Sequence, residues 1–371
     1  MTYSGERLDP RTLIAQISKD LKLDDDVLVM GADLKDRKVP RASTGILALD
    51  VALGGGLPLN QWAEFTGHES SGKTALALKI VAHQQAVDPD WFCVWVAAEE
   101  LEESYAEALG VDLDRMLIVD TNSMEDAYDV VLELAEKQAF DGVVIDSLPA
   151  LIPTGEYEGQ MEDSGGMAQA ARLNGKFFRK MGADGNRSLV NEERPWIGLL
   201  INQWRSKIGV MFGDPRTTPG GVAKNYACYV RLETKRDEWL DNELKKSDPK
   251  YETVGQTIVT KIMKNKAGPP GREAAFNFYF APFGEFDLGS IDRLQDVFNT
   301  AVTLGVLERE GNSYYFLGEK IGPNKPRTIE ALKNDPALVD SVATQVYNHV
   351  ARKAGAAEPE APRRPKRVKR S

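Results

Sequence analysis

Residues 62–85 read WAEFTGHESSGKTALALKIVAHQQ, and this stretch decides the fold. An apolar β-type run comes first, a glycine-containing loop follows it, and a run rich in alanine and leucine with helical character completes the stretch. Within it, residues 67–74 match the phosphate-loop pattern G-x-x-x-x-G-K-[ST]. Because the pattern stands between a predicted strand and a predicted helix, it indicates a nucleotide-binding α/β domain.

Such a loop binds phosphate through its backbone and two side chains. The backbone N–H groups and the helix N-terminus surround phosphate oxygens, Lys73 reaches the β- and γ-phosphates, and Thr74 is a ligand of Mg²⁺. ATP and Mg²⁺ are therefore the expected cofactors. The residues of the loop predicted to contact ATP are Gly67, His68, Glu69, Ser70, Ser71, Gly72, Lys73 and Thr74.

Two other strand ends supply carboxylates. The run GVVIDS ends in Asp146, which is expected to hold Mg²⁺ together with Thr74, although a strand-end carboxylate can also serve as a cap. A carboxylate is needed to activate the attacking water, and AAEE after the strand WFCVW offers Glu99 and Glu100. Periodicity does not choose between these two glutamates, and either can be a solvated surface residue.

Strand-like and helical patterns alternate through the middle of the chain, which predicts a mostly parallel central sheet wrapped by helices. The strand-like runs are WAEFTG, WFCVWVAA, MLIVD, GVVIDS, WIGLLIN and YVRLET. Before this α/β core, Asp9-Pro10 predicts the start of an amphipathic helix, and residues 27–34 form a strand-like run. After the core, a smaller mixture of helix and strand predicts a small C-terminal α/β lobe.

Composition excludes several classes of protein. The 371 residues are 42% hydrophobic and 27% charged, so the chain can bury a core in about two to three domains and is neither disordered nor fibrous. Two cysteines allow no disulfide framework and no four-thiolate zinc site, which favours a cytoplasmic location. The scattered histidines do not predict a metal cluster. No apolar run predicts a membrane span or an export signal.

Charge is segregated along the chain. The formal net charge of −10 argues against nucleic-acid binding by overall basicity, but residues 361–371 carry six basic side chains and no acidic one.

We expect four regions: an N-terminal polymerisation segment (1–41), an ATPase core with DNA-binding loops (42–281), a small C-terminal domain (282–352) and a disordered basic tail (353–371).

From about residue 42 to residue 334 the chain resembles the bacterial RecA-type recombinases. The segments that carry this resemblance are STGILALDVALGGGLP, GHESSGKT, VIDSLPAL, INQWRSKIGVMFGDPRTTPGG, KIMKNKAG and GEKIG. The resemblance implies a RecA-like P-loop ATPase core and a DNA-dependent ATPase. Such a protein forms helical filaments on single-stranded DNA, pairs it with homologous double-stranded DNA and exchanges strands.

The resemblance also implies roles for individual residues around ATP. It selects Glu99 as the residue that activates water, Tyr105 as the residue that stacks on adenine, and Gln203 as the sensor of the γ-phosphate. Lys264 and Lys266 match two lysines that act on the ATP site of the next subunit. Alternation along a strand predicts that both lysines lie on one face, which in most proteins is simply a solvated surface.

Two loops, residues 158–167 and 204–221, resemble those that bind DNA along the filament axis. The resemblance implies DNA contacts for Met167, Arg172, Arg205, Lys207, Ile208, Gly209, Gly220, Gly221 and Lys325. Arg216 offers a further contact to phosphate, and Lys320 joins Lys325 in a region expected to capture duplex DNA. Trp204 can stack on a base or pack in the core, and residues 182–196 are expected to be an exposed insertion.

Two other functions are alternatives to a recombinase. One is a hexameric helicase or DNA repair ATPase with the same core, and the other is a DNA-coating module that does not hydrolyse ATP.

Overall fold

The computed structural model describes residues 9–23, 27–32, 39–159, 166–188, 194–206 and 215–353. The chain divides into two compact units, residues 1–40 and residues 41–371. In the described part, no helix combines the length and the apolar character that crossing a membrane requires.

The first unit contains the predicted amphipathic helix, α1 (Pro10–Leu21). The side chain of Asp9 caps it by accepting a hydrogen bond from the Thr12 N–H at 3.1 Å, and Pro10 occupies the first turn, where its missing N–H costs nothing. The strand predicted after it is wrong for residues 27–32, which form turns and bends. A strand requires a hydrogen-bonded neighbour, and the described residues of this unit offer none.

The second unit is built around an eight-stranded sheet. Its strands and those of the smaller sheets are β1 (Arg41–Ala42), β2 (Leu57–Pro58), β3 (Gln61–Gly67), β4 (Cys93–Ala97), β5 (Met116–Asp120), β6 (Gly142–Asp146), β7 (Ile197–Gln203), β8 (Arg205–Ser206), β9 (Arg216–Thr217), β10 (Val230–Asp241), β11 (Thr253–Asn265), β12 (Glu273–Tyr279), β13 (Glu308–Glu310), β14 (Ser313–Phe316) and β15 (Glu319–Gly322). The helices of this unit are α2 (Leu47–Leu53), α3 (Lys73–Val87), α4 (Glu103–Ala108), α5 (Met124–Glu136), α6 (Thr154–Tyr157), α7 (Gly166–Ser188), α8 (Gly221–Ala227), α9 (Arg293–Leu304), α10 (Lys325–Asn334) and α11 (Pro336–Lys353).

The strand order in the large sheet is β12-β11-β10-β3-β7-β6-β4-β5. The strands from β10 to β5 in this order are parallel to their neighbours, and β11 and β12 extend the sheet in antiparallel fashion. The predicted mostly parallel sheet is therefore confirmed. Since the carboxyl ends of parallel strands share one edge, the residues that follow β3, β4, β6 and β7 are brought to the same edge.

Both faces of the sheet are covered. Strand β4 sends Cys93 and Trp95 into one hydrophobic cluster and Val94 and Val96 into the other, as the two-residue period of a strand requires. Helix α3 packs in the first cluster, and helices α5 and α7 contribute to the second. This double burial explains why the strand sequences are continuous apolar runs.

A smaller lobe follows the core and shares side chains with it. Leu47 of α2 lies in the lobe's hydrophobic cluster with Val297, Phe298 and Val342. The carboxylate of Asp296 accepts hydrogen bonds from the N–H groups of Leu47 at 2.7 Å and Ala48 at 3.0 Å. Helix α2 has no side-chain cap of its own, so this carboxylate from α9 satisfies its first N–H groups.

One turn further along α2, Asp50 accepts a hydrogen bond of 2.7 Å from the hydroxyl of Tyr347 on α11. Both Asp50 and Asp296 are buried carboxylates, and burial raises the pKa of each. The junction between core and lobe therefore rests on two buried acids as well as on apolar packing.

The segment predicted to be an exposed insertion, residues 182–196, differs from that prediction at its C-terminal end, and residues 189–193 lie outside the described residues. Helix α7 continues through Ser188, and Trp196 is buried at 9% exposure beside Phe140. The guanidinium of Arg194 donates to both carboxylate oxygens of Asp141, at 2.7 and 2.8 Å. The prediction overlooked a large apolar ring and an ion pair, both of which favour packing over exposure.

Candidate functional site

The phosphate loop connects the end of β3 to the start of α3. Ser70 and Gly72 have positive φ values of 57° and 84°, so the backbone turns through the left-handed region twice before the helix begins. A Cβ at Gly72 would lie 2.6 Å from a methyl carbon of Ile258, and only glycine fits there without strain. The loop is therefore shaped by its backbone, as a phosphate cradle requires.

The cation of the loop lies inside it. Lys73 is 8% exposed, and its Nζ donates a hydrogen bond of 2.7 Å to the carbonyl of His68. Burial lowers the pKa of Lys73, while the neighbouring acids Asp146, Glu99 and Glu69 oppose that shift. Among the described residues no carboxylate forms an ion pair with this buried ammonium, so it is suited to an anionic ligand.

The predicted metal ligands are in direct contact. Thr74 Oγ1 donates a hydrogen bond of 2.8 Å to Oδ2 of Asp146, which is buried at the end of β6. Burial raises the pKa of Asp146 to about 6, and the charge of Glu99 adds to the shift. A hydroxyl and a carboxylate are hard oxygen ligands of the kind Mg²⁺ prefers, so these residues fit the metal. A divalent cation would favour the ionised carboxylate.

Glu99 lies beside this pair, past the end of β4. Its N–H donates to the carbonyl of Asp146 at 3.0 Å. The hydroxyl of Ser147 and the amide of Gln203 both donate to its Oε1, the amide at 3.4 Å. Glu100 is exposed. The structure thus brings Glu99 and Gln203 together with Thr74 and Asp146, the two predicted metal ligands.

Two polar residues of this region were not found by sequence reasoning. Ser147 follows Asp146 directly, and a hydroxyl at a strand end next to an acid was the available signal. Thr234 of β10 lies behind the phosphate loop, with its Oγ1 2.9 Å from Oγ of Ser71. No local pattern points to Thr234, since it comes from a distant strand.

Tyr105 lies on α4. Its side chain is half-buried against the same hydrophobic cluster as Leu101 and Leu113, and burial raises its pKa. The contact of Tyr105 with adenine stays a prediction.

Lys264 and Lys266 have different surroundings. Lys264 is in β11, which ends at Asn265, so Lys266 lies beyond the strand. Lys264 Nζ donates to the carbonyls of Asn225 and Cys228, both at 2.6 Å, at the end of α8. Lys266 is exposed, with Nζ 5.7 Å from the centre of the Tyr229 ring. Strand alternation therefore does not describe this pair, because the strand stops between them.

The ends of the second predicted DNA-binding loop form a small antiparallel sheet, in which Ser206 of β8 pairs with Arg216 of β9. Arg205 is exposed on β8. Arg216, predicted to contact phosphate, donates to Oε1 of Glu233 at 2.6 Å. Trp204, which sequence reasoning left unassigned, donates from Nε1 to the same oxygen at 3.1 Å.

Other predicted DNA contacts are scattered. Gly220 and Gly221 have φ values of 97° and 76° and begin α8. Arg172, Lys320 and Lys325 are exposed on α7, β15 and α10. The residues predicted to bind DNA that lie outside the described side chains are Met167, Lys207, Ile208 and Gly209.

A buried ion cluster connects the phosphate-loop strand to α8, and sequence reasoning missed it. Glu64 of β3 is 0% exposed and bonds to both Lys224 and Arg231. It also accepts from the amide of Asn202 at 2.7 Å, and Lys224 donates to Thr218 at 2.8 Å. Burial opposes ionisation of Glu64, but the two cations outweigh it and lower its pKa. The cluster connects β3, β7, β10 and α8 beside the candidate site.

These features define a class of protein. A mostly parallel sheet carries a phosphate loop, a threonine and aspartate suited to Mg²⁺, and a glutamate held beside them, which is the arrangement of a P-loop ATP hydrolase.

Comparisons with known proteins identify the family. The model of the RecA N-terminal domain matches residues 11–283. Protein RecA of Rubrobacter xylanophilus is 37% identical over 326 residues, which are 87% of this chain and 88% of that protein. Protein RecA of Thioalkalivibrio sulfidiphilus is 38% identical over 322 residues (86% and 87%), and that of Streptococcus parasanguinis is 36% identical over 316 residues (85% and 78%).

The chain belongs to the RecA family. It is accordingly a recombinase and a DNA-dependent ATP hydrolase of recombination and repair, and its cofactors are ATP and Mg²⁺.

Proposed function

We propose that this chain assembles as a helical homopolymer on single-stranded DNA in the cytoplasm, pairs that strand with homologous double-stranded DNA and exchanges strands. The observation that carries the proposal is the convergence of Lys73, Thr74, Asp146, Glu99 and Gln203 at one edge of the sheet. Residues 1–41 serve polymerisation, residues 42–281 carry ATPase and DNA loops, and residues 282–352 form the lobe that meets duplex DNA.

Each residue of the site has a chemical role in this proposal. Lys73 holds the β- and γ-phosphates, and Thr74 and Asp146 hold Mg²⁺. Bound Mg²⁺ supplies charge neutralisation on the phosphate oxygens. Glu99 accepts a proton from the attacking water, while Gln203 senses the γ-phosphate and connects the site to the segment that begins at Trp204.

Ser147 is added to this set by its hydrogen bond to Glu99. A serine hydroxyl that donates to one oxygen of a carboxylate fixes its rotation and leaves the second oxygen for the water. We therefore regard Ser147 as a residue that positions the base.

DNA binding is proposed for the two loops. Arg205 lies exposed at the start of the second loop, and the glycines at its end allow close approach of a nucleic-acid backbone. Lys264 and Lys266 are proposed to act on the neighbouring subunit's ATP, which would make hydrolysis depend on assembly. Lys264 would have to leave the carbonyls at the end of α8 to do so.

The decisive experiment measures ATP hydrolysis with and without single-stranded DNA. Strong stimulation by DNA is expected, and equal rates in both conditions would contradict the proposal. A hexameric helicase is the second candidate for the same core. Negative-stain microscopy with DNA and a non-hydrolysable ATP analogue separates the two, since helical filaments support the recombinase and closed rings support the helicase.

A further inference from the structure

The two ends of the segment that begins at Trp204 are held by one buried acid. Oε1 of Glu233 accepts from Trp204 Nε1 at 3.1 Å and from Arg216 Nη1 at 2.6 Å. The guanidinium of Arg216 also lies over the indole ring, 4.7 Å from its centre. We name these three residues the stem clasp, because they close the stem formed by β8 and β9.

Burial makes the stem clasp a strong contact. The side chain of Glu233 is 2% exposed and that of Arg216 is 33% exposed. Lys235 approaches the second carboxylate oxygen at 3.4 Å, so Glu233 is surrounded by donors. Removing a partner from a buried carboxylate leaves a charge without compensation, which costs far more than breaking a surface pair.

The same contacts limit what Trp204 and Arg216 can offer to DNA. The Trp204 Nε1–H is used by Glu233, and the guanidinium covers one face of the indole ring. A base could stack on that face only after Arg216 had moved away. A phosphate could capture Arg216 only by breaking its contact of 2.6 Å with the buried Glu233, which would then keep only Lys235 as a cation, at 3.4 Å.

The stem clasp adjoins the ATP site at both of its ends. Gln203, which precedes Trp204, donates to Glu99. Thr234, which follows Glu233, contacts Ser71 of the phosphate loop. Gln203 and Thr234, which contact the ATP site, are therefore the direct sequence neighbours of two residues of the stem clasp, Trp204 and Glu233.

We propose that Trp204, Arg216 and Glu233 are positioning residues, which fix the two ends of the second DNA-binding segment and contact neither base nor phosphate. This inference rests on the proposed function, because it takes that segment to bind single-stranded DNA. Arg205 provides a matched comparison. It lies on the facing strand of the same stem and is exposed, as expected of a phosphate contact.

The experiment measures binding of the full chain to a fluorescent oligothymidylate, with a non-hydrolysable ATP analogue, over a series of salt concentrations. Arg205→Ala should flatten the slope of log K against log salt by about 0.7, the value for one phosphate on a single strand. Arg216→Ala should leave the slope unchanged and weaken binding about three- to tenfold. ATP binding without DNA should be unchanged in both variants.

Two further variants separate positioning from base contact. Trp204→Phe keeps an aromatic face but loses the Nε1 donor, so it should weaken binding as Arg216→Ala does. Glu233→Gln keeps the shape and removes the charge. In combination with Arg216→Ala it should weaken binding by less than the product of the two single effects, because both variants break the same contact.

Three results would overturn the inference. A slope flattened by about 0.7 in Arg216→Ala would make Arg216 a phosphate contact. Normal binding by Trp204→Phe together with weak binding by Trp204→Ala would make Trp204 a stacking residue. Multiplicative effects in the double variant would show that no clasp exists. Failure of the unsubstituted protein to bind the oligonucleotide would instead contradict the proposed function itself, and this inference with it.

Discussion

The hydroxyl of Thr74 donates a hydrogen bond of 2.8 Å to Oδ2 of Asp146, which joins the first turn of α3 to the end of β6. These are the two side chains expected to hold Mg²⁺. Because they are already in contact in the folded chain, the two side chains do not have to be brought together when the metal binds. Preorganisation of this kind reduces the cost of binding.

Lys73 and Glu99 should separate binding from chemistry. Lys73→Ala should lose nucleotide binding, whereas Glu99→Gln should bind ATP and lose turnover by about 10²- to 10⁴-fold, the usual contribution of a general base. Equilibrium binding of a fluorescent ATP analogue and phosphate release measure the two properties. Glu100→Gln is the matched control and should behave as the unsubstituted protein. Normal turnover by Glu99→Gln would transfer the role to Glu100.

Ser147→Ala should lower turnover about three- to tenfold with little change in nucleotide affinity, because Glu99 loses one hydrogen bond that orients it. Ser104→Ala is the control, since Ser104 donates a comparable hydrogen bond of 2.8 Å to the exposed Glu102 outside the site. Steady-state ATPase measurements give kcat and KM for both variants. Equal kcat in Ser147→Ala and Ser104→Ala would reject a role for Ser147.

Lys264 and Lys266 should act across the interface between subunits. A variant with Lys264→Ala and Lys266→Ala should hydrolyse ATP poorly with DNA, and so should Lys73→Ala. Mixing the two should restore some activity, because a mixed interface combines an intact phosphate loop with intact lysines. The ATPase rate is followed across mixing ratios, with co-assembly confirmed by sedimentation. No rescue at any ratio would indicate that the lysines act within their own chain.

Lys264 should in addition stabilise its own subunit, since it donates to the carbonyls that end α8. Lys264→Ala alone should therefore lower Tm, while Lys266→Ala, at an exposed position, should not.

Asp296 should make stability depend on pH. Burial raises its pKa in the folded protein to about 6, from an ordinary value of 3.8, with the charge of Asp50 adding to the shift. Because its pKa is raised on folding, the contribution of Asp296 to the stability of the folded protein is complete below pH 3.8 and is lost as the pH rises through about 6. From pH 4.5 to pH 7.5, the free energy of unfolding should fall more in the unsubstituted protein than in Asp296→Asn, by on the order of 2 kcal/mol. Urea unfolding at the two pH values measures it, and parallel changes in both proteins would contradict it.

The basic tail, residues 361–371, lies outside the described residues, and its role stays a prediction from sequence. Six basic side chains would steepen log K against log salt by about 5 for duplex DNA if all were engaged. Truncation after Glu360 should therefore weaken duplex binding and flatten its salt slope, with ATP binding in the absence of DNA unchanged. An unaltered slope would leave the tail as a solvated charge run.

The parts of the site that sequence predicted are those fixed by local patterns. The phosphate loop is contiguous, Asp146 ends an apolar strand, and Glu99 and Glu100 follow another, so a parallel sheet brings them to one edge. The choice of Glu99 over Glu100 and the role of Gln203 came from the resemblance to the family. The partners of Glu64 were not predictable in this way. Its two cations come from positions 160 and 167 residues further along the chain.

Arg216 illustrates the same limit. A basic residue in a glycine-rich loop favours a phosphate contact, and that was the prediction. The structure pairs it with Glu233, a residue of β10 that the loop reaches only after the sheet has formed. Charge pattern along the sequence identifies an available cation but does not reveal which acid the fold will bring to it.

The position of Leu47 has a consequence for how such a protein can be taken apart or recombined in evolution. Although it belongs to α2, near the start of the core, its side chain lies in the hydrophobic cluster of the C-terminal lobe. Removal of the lobe would expose that leucine and leave the first N–H groups of α2 without Asp296. The lobe is thus not an exchangeable module joined by a linker, and an exchange between relatives would succeed only if α2 travelled with α9 and α11.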